Sequence, residues 1–513
     1  METDRRGFFR LIGGALTFAS GAAAAADALD IHAETGNTRL GALGVRLRAL
    51  RDPFAPFKPY PAAKRLALPP ADARSALSLS EAVRGYTSAR GFRTTAFSLA
   101  ELSRLLYFTN GVTGRATARG RVLHLRAAPS AGALYAGEVY VVAQRVRGLD
   151  PGVYYYAALE HEIVALRSGS FMKEVASALD APATCADAPA AMLLTNVFRR
   201  YRHRYANRGY RFALIDSGHI GENLRLTARS AGFGSQGPLR FHDDALAALL
   251  EVDGREEAVC AVHVVGRPGK AGAAPRRRFA EKRETLPAAV PARADAPERY
   301  HEATKLVPTA ARWRLPEEAW PERRSDAGVA LPTGYAVPRT TVEETIRKRR
   351  SAERFGDGPL SLEELAFVLE MAGGHTALQR APGVEVHLVA HRVRDLGPGH
   401  YRYDRDARRL VLIRAGDLRA SMTSACLGQE KAGAADAGFV MVARLAESAA
   451  RSGDRSYRNL LLEAGGVGQR IYLAAEASGL AARNLAAYLD DEFNALLGLD
   501  GRREAAVHLT LLG

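Results

Sequence analysis

Apolar positions along the chain fall into a pattern that runs twice. Over 210–231 and again over 457–478 they recur every three or four residues, which predicts two long amphipathic helices in equivalent places. Shorter helices are predicted over 80–84 and 341–348, each leading into a basic turn. Ser98 and Ser361 then precede apolar-periodic segments with acidic residues in the first turn. A serine there caps a helix because its hydroxyl accepts from backbone N–H groups that have no partner in the first turn. Runs rich in valine over 138–143 and 384–389 predict strands, followed by hairpins at Pro-Gly turns, and each copy closes on a strand, 258–265 or 505–512. Helices and strands mixed in this order predict an α+β sandwich on a mostly antiparallel sheet.

The correspondence holds residue by residue. Arg145-Val146-Arg147-Gly148-Leu149-Asp150-Pro151-Gly152 returns as Arg392-Val393-Arg394-Asp395-Leu396-Gly397-Pro398-Gly399, an offset of 247 residues (392 less 145). Arg208, Tyr210, Arg211 and Asp216 keep that offset at Arg455, Tyr457, Arg458 and Glu463. Upstream, Ser88-Ala89-Arg90 matches Ser351-Ala352-Glu353 at an offset of 263 (351 less 88), so the second copy lacks 16 residues (263 less 247) opposite the region 109–135. The expected organisation is a first domain over 75–270, a linker over 271–299 rich in Ala, Pro and Arg, and a second domain over 300–513.

A length of 513 residues leaves room for two such cores. The formal net charge of +15 comes from arginine spread along the chain. An anionic cofactor or substrate suits that distribution better than nucleic acid, which is not an expected partner. No apolar run is long enough to span a bilayer, so stable membrane insertion is not expected either. Cys185, Cys260 and Cys426 form no C-x-x-C pair and have no histidine at ligand spacing. They are expected to be buried apolar fillers, with no metal site and no disulfide framework. At the N-terminus, Arg5-Arg6-Gly7-Phe8-Phe9-Arg10-Leu11 is followed by an apolar stretch ending in alanines, similar to a twin-arginine export signal over 1–28. Such a signal places the mature protein in the periplasm or beyond, and the route carries proteins already folded, often with a cofactor bound.

Several motifs are more specific. They are Arg126-Ala127-Ala128-Pro129-Ser130-Ala131-Gly132-Ala133-Leu134-Tyr135, the hairpin over 148–156, the block 205–223, Arg349-Arg350-Ser351 followed by Pro359-Leu360-Ser361, and Tyr300-His301-Glu302. Through them the chain resembles the nitroreductase superfamily, specifically its SagB-type dehydrogenase branch. The resemblance implies an α+β fold of two tandem nitroreductase-like, FMN-dependent domains that form an intramolecular pseudo-dimer, with flavin held between them.

It further implies that Arg349, Arg350 and Ser351 clasp the FMN phosphate, since arginine forks onto phosphate oxygens and a serine hydroxyl adds a bond. Pro129, Ser130, Ala131, Gly132, Leu134 and Tyr135 would cover the same flavin from the other half. Of the second clasp only Ser88 and Arg90 remain, and its covering loop falls in the missing stretch, so one composite site is expected. Arg204 and Tyr205 stand where the branch has a Lys-Tyr pair acting at the substrate. Arginine stays protonated, so Arg204 can polarise a substrate but is a poor base. The implied activity is hydride transfer with a small-molecule or peptide substrate and NAD(P)H as electron donor. The residues leave open a flavin-binding or scaffold protein that has lost turnover.

Overall fold

The computed structural model describes residues 28–38, 57–74, 77–118, 121–180, 182–237, 240–270, 279–281, 296–308, 328–374 and 383–513. The predicted export signal, Ala28 aside, and most of the linker lie outside these residues.

Each half builds one seven-stranded sheet in which every neighbouring pair is antiparallel. From edge to edge the first runs Arg65–Ala67, Glu162–Ser168, Gly152–Ala157, Gly137–Ala143, Ala190–Val197, Glu257–Gly266, Gly234–Gln236. The second repeats the order with Val329–Ala330, Arg409–Ala415, Gly399–Asp404, Val384–Ala390, Ala437–Ala443, Ala505–Leu512, Ala482–Asn484. The central strands are buried on both faces, which is why Val139 to Val142 and Ala190 to Leu194 are continuous apolar runs instead of alternating ones. One face of the first sheet packs on Leu99–Asn110 and Gly209–Ser230, the other on Met172–Ala178 and Asp243–Leu249. Cys185, Cys260 and Cys426 are free and buried.

Four equivalent helix starts carry complete capping boxes: Ser78 with Glu81, Ser98 with Glu101, Thr341 with Glu344 and Ser361 with Glu364. Each satisfies two backbone groups reciprocally and fixes where the helix begins. Between its capped helix and central strand the first half inserts a hairpin, Val112–Ala118 with Arg121–Arg126. The second half goes from Leu362–Ala372 to Val384–Ala390 in far fewer residues, so the length difference between the copies is located at this hairpin.

The halves meet along their long helices, Gly209–Ser230 and Arg455–Ala477, which cross at two equivalent glycines. A Cβ on Gly218 would lie 2.2 Å from the Leu462 carbonyl oxygen, and one on Gly465 would lie 2.0 Å from that of Ile215. Leu462 and Ile215 are themselves equivalent, so a pseudo-twofold axis passes between the helices. Around it, Asp490 of the second half accepts from Arg208 and Arg211 of the first, and Asp243 of the first accepts from Arg455 and Arg458 of the second.

Two short arms complete the exchange. In the helix Ala28–Glu34 and just after it, the His32 carbonyl and Thr35 hydroxyl accept from Arg211 at 2.6 and 2.8 Å, while Arg458 bonds His301 and Thr304 in and after the helix Ala296–Ala303 at 3.0 and 2.7 Å. Asn37 N–H bonds Asp490 and Leu306 N–H bonds Asp243 in the same equivalent way. The duplication thus includes residues 28–37, upstream of the region where sequence offsets reveal it.

Candidate functional site

The loop 129–135 of the first half is folded by contacts that its sequence specifies. Gly132 adopts a left-handed φ of 62°, and a Cβ there would lie 2.3 Å from the Tyr205 hydroxyl oxygen and 3.0 Å from an Arg204 guanidinium nitrogen. Glycine is required both for the turn and for that approach. Ser130 Oγ accepts from Tyr135 N–H at 2.9 Å and lies 2.7 Å from the Tyr201 hydroxyl oxygen. Tyr201, Arg204 and Tyr205 all belong to the helix Phe198–Tyr205, so loop and helix form one wall. The Arg204 guanidinium carbon sits 5.4 Å from the Tyr205 ring centre, and burial raises the Tyr205 phenol above its ordinary range.

Arg349 arrives at this wall from the second half. Its guanidinium donates to the carbonyls of Ala127 and Arg126, each at 3.3 Å, immediately before the loop, and lies 5.3 Å from the centre of the Tyr472 ring. Arg349 is buried, and no carboxylate among the described residues comes within ion-pair distance of it. Burial therefore lowers its pKa, although Tyr472 and Tyr135 partly offset this. Arg350 is exposed and reaches the hairpin, donating to the Thr113 carbonyl at 2.8 Å. Ser351 is 2.8 Å from the Tyr472 hydroxyl, which also accepts from Asn484 N–H at 2.8 Å. Of the candidate residues, Arg204, Tyr205, the loop and Arg349 to Ser351 are thus brought to one interface region.

Ser88 and Arg90 lie elsewhere, beside the strand Gly234–Gln236, where Ala89 N–H bonds the Ser235 carbonyl. There the Arg–Tyr stack is exchanged between positions. Tyr86 stands at the place of Arg349 and Arg225 at the place of Tyr472, the guanidinium 4.1 Å from the ring centre. Arg225 also pairs with Glu222, which in turn pairs with Arg470 across the halves. In this second region one carboxylate, Glu222, is shared by two arginines at ion-pair distance, whereas among the described residues none lies that close to Arg349, on which Glu476 acts from farther away.

Three further side chains contribute to the first region. His219 of the first half reaches Asn484 of the second at 2.8 Å, while its Nδ1–H donates to the Ile215 carbonyl, also at 2.8 Å. Asn484 accepts from Thr510 and donates to His219, which fixes the neutral Nδ1–H tautomer. Burial, His508 and Arg349 all hold His219 well below the usual histidine range. Tyr472 and Asp216 are the others, Tyr472 meeting Arg349 and Ser351 of its own half and Asp216 meeting the loop of its own half.

An FMN phosphate would find Arg349 as a buried cation with no carboxylate at ion-pair distance among the described residues, near the Ser351 hydroxyl and Arg350. That residue set fits a phosphate because a desolvated guanidinium gains most from an anion it can fork onto.

Glu463, at the position equivalent to Asp216, is buried, and neither of its carboxyl oxygens has a hydrogen-bond partner; the N–H groups of Gly383 and Val384 face it outside bonding geometry. Burial pushes it up to about 8. Between its unfolded pKa of about 4.3 and this raised value the unfolded chain binds fewer protons, so stability falls as pH rises through that window. Glu463→Gln is expected to raise the unfolding midpoint at pH 9 and leave it nearly unchanged at pH 4, as thermal unfolding at both values will show.

Paired seven-stranded antiparallel sheets joined along two long helices define an α+β oxidoreductase fold of the fused-dimer kind. The chain belongs to the Nitroreductase family, whose sequence pattern matches residues 83–267 and again 346–513. It is 32% identical over 165 residues to the nitroreductase MJ1384 of Methanocaldococcus jannaschii, covering 32% of this chain and 80% of that one. It is 31% identical over 150 residues to the trifolitoxin-processing protein TfxB of Rhizobium leguminosarum bv. trifolii, covering 28% of this chain and 40% of that protein. A solved nitroreductase structure from Anabaena variabilis superposes over 95% of this chain and 99% of its own, with a TM-score of 0.74 and 26% identity. The tandem arrangement is therefore shared over both full lengths.

Proposed function

We propose that this chain is an FMN-dependent oxidoreductase of the SagB-type kind with one flavin, held in the composite region between Arg349 to Ser351 and the loop 129–135. The observation that carries the reading is the buried Arg349 with no carboxylate at ion-pair distance among the described residues, set against Arg225 and Arg470 of the second region, which share Glu222. When bound, FMN supplies the hydride chemistry, and the protein supplies placement and electrostatics. Arg349 and Ser351 hold the anionic end, the loop excludes water, and Gly132 allows Tyr205 to close against the loop. Tyr205 offers a hydroxyl donor and Arg204 a fixed positive charge to a substrate at that wall. The likeness to a toxin-processing protein favours a peptide substrate, with NAD(P)H as the electron donor.

The test is flavin stoichiometry measured by absorbance after release. One FMN per chain is expected, because a phosphate favours a buried cation with no carboxylate close by, as Arg349 is among the described residues, over arginines that already share one, as Arg225 and Arg470 share Glu222. Arg350→Ala combined with Ser351→Ala should release the flavin, whereas Ser88→Ala with Arg90→Ala should not. Two tightly bound flavins per chain would overturn the single-site reading.

Arg204 in place of the branch's lysine favours a second reading, a flavin-binding protein without turnover. Yellow protein that NAD(P)H does not reduce, or that no quinone reoxidises once reduced, would decide for it. We also propose export through Arg5 and Arg6, checked by N-terminal sequencing of periplasmic protein and by Arg5→Lys with Arg6→Lys retaining it in the cytoplasm.

A further inference from the structure

Asp216 lies buried on the helix Gly209–Ser230, two residues before the glycine at the crossing. One carboxyl oxygen accepts from Ala131 N–H at 3.2 Å and from the Tyr201 hydroxyl, whose oxygen in turn contacts Ser130. The loop they hold contains three residues of left-handed φ, Gly132 at 62°, Ala133 at 54° and Tyr135 at 46°. Two of them are not glycine, so the conformation is strained and persists only where its surroundings impose it.

We propose that Asp216 is the positioning residue of the covering loop: through Ala131 directly, and through Tyr201 to Ser130, its ionised carboxylate holds residues 129–135 in place, and flavin retention follows that ionisation. The inference rests on the composite-site reading above. The groups facing Asp216 are Tyr201 and Tyr205 from the helix Phe198–Tyr205 and Ser130, Ala131 and Tyr135 from the loop, and no cation among the described residues lies at ion-pair distance. Burial pushes its carboxyl up to about 7 against the bonds from Tyr201, Ser130 and Ala131. The ionised form therefore prevails above neutrality, where charge-assisted bonds to the loop are strongest, and is lost below it. Glu463, the equivalent acid of the half that lacks the corresponding stretch of chain, holds no such partners.

The experiment is hydrogen exchange of the amides in 130–135, corrected for intrinsic rate, on the full-length protein at pH 6 and pH 8, with and without FMN. Protection is expected to rise severalfold, up to about tenfold, from pH 6 to pH 8, since the ionised fraction goes from about a tenth one unit below the pKa to about nine tenths one unit above it. Asp216→Asn should abolish the rise, Tyr201→Phe should weaken it, and Glu463→Gln should keep it. FMN dissociation, followed by filtration, should show the same pH dependence in the wild type and none in Asp216→Asn. Equal protection in wild type and Asp216→Asn at both pH values overturns the proposal, as does FMN retention whose pH dependence survives the substitution. If protection follows Asp216 but no variant takes up FMN, the loop tie stands and the composite-site reading falls.

Discussion

Gly465→Ala is expected to leave the two halves unable to pack, with a stability loss of about 3 kcal/mol or more, at the upper end of what overpacking costs. The added methyl would sit 2.0 Å from the Ile215 carbonyl oxygen, part of the opposing helix backbone, which cannot rotate away as a side chain can. Gly218→Ala meets the Leu462 carbonyl in the same way. Gly466→Ala is the control, because its Cβ would meet nothing closer than the Glu222 carboxylate at 3.4 Å. There, alanine's better helix propensity is worth up to about 1 kcal/mol in favour of folding. Urea unfolding of the three variants separates the cases, and equal midpoints for Gly465→Ala and Gly466→Ala would refute the close crossing.

Asp490→Ala is the second large effect. It leaves Arg208 and Arg211 buried without a counter-ion, a situation that typically costs 3–5 kcal/mol. Asp243→Ala does the same to Arg455 and Arg458. Burial alone would push the Asp490 carboxyl up, but Arg208 and Arg211 outweigh it and hold the group well below the usual carboxylate range. A depressed pKa contributes stability above the unfolded value of about 3.9 and loses it as pH falls below that value. Wild type should therefore weaken steeply in acid, and Asp490→Asn should start lower at pH 7 and lose less between pH 5 and pH 2. Thermal unfolding across that range is the measurement, and parallel curves for the two proteins would contradict the assignment.

Much of the fold is legible in the sequence because its causes are local. The period of three and four over 210–231, the Ser and Thr caps and the valine-rich strands each follow from side-chain chemistry within a few residues. The offsets also place the missing stretch where the hairpin Val112–Ala118 with Arg121–Arg126 stands. The arm at 28–37 is not legible, since His32 and Thr35 match His301 and Thr304 in too short a stretch for a repeat to stand out. Of the site, Arg349, Ser351 and the loop 129–135 are motif residues visible in sequence. Nothing singles out His219, Tyr472, Asn484 and Asp216 for the site, because the His219–Asn484 bond crosses between the halves and the partners of Tyr472 and Asp216 lie far along the chain, at Ser351 and Ala131.

The exchanged stack, Arg349 on Tyr472 in one region and Arg225 on Tyr86 in the other, has a consequence for how such a chain can change. In a dimer of identical subunits a substitution appears at both copies of a site, so neither copy can be altered alone. With both halves encoded in tandem, one position can lose its arginine while its counterpart keeps it. A region released from ligand binding is then free to drift toward plain structural support. Glu222, set between Arg225 and Arg470, is the kind of contact that this freedom allows: a rivet between the halves.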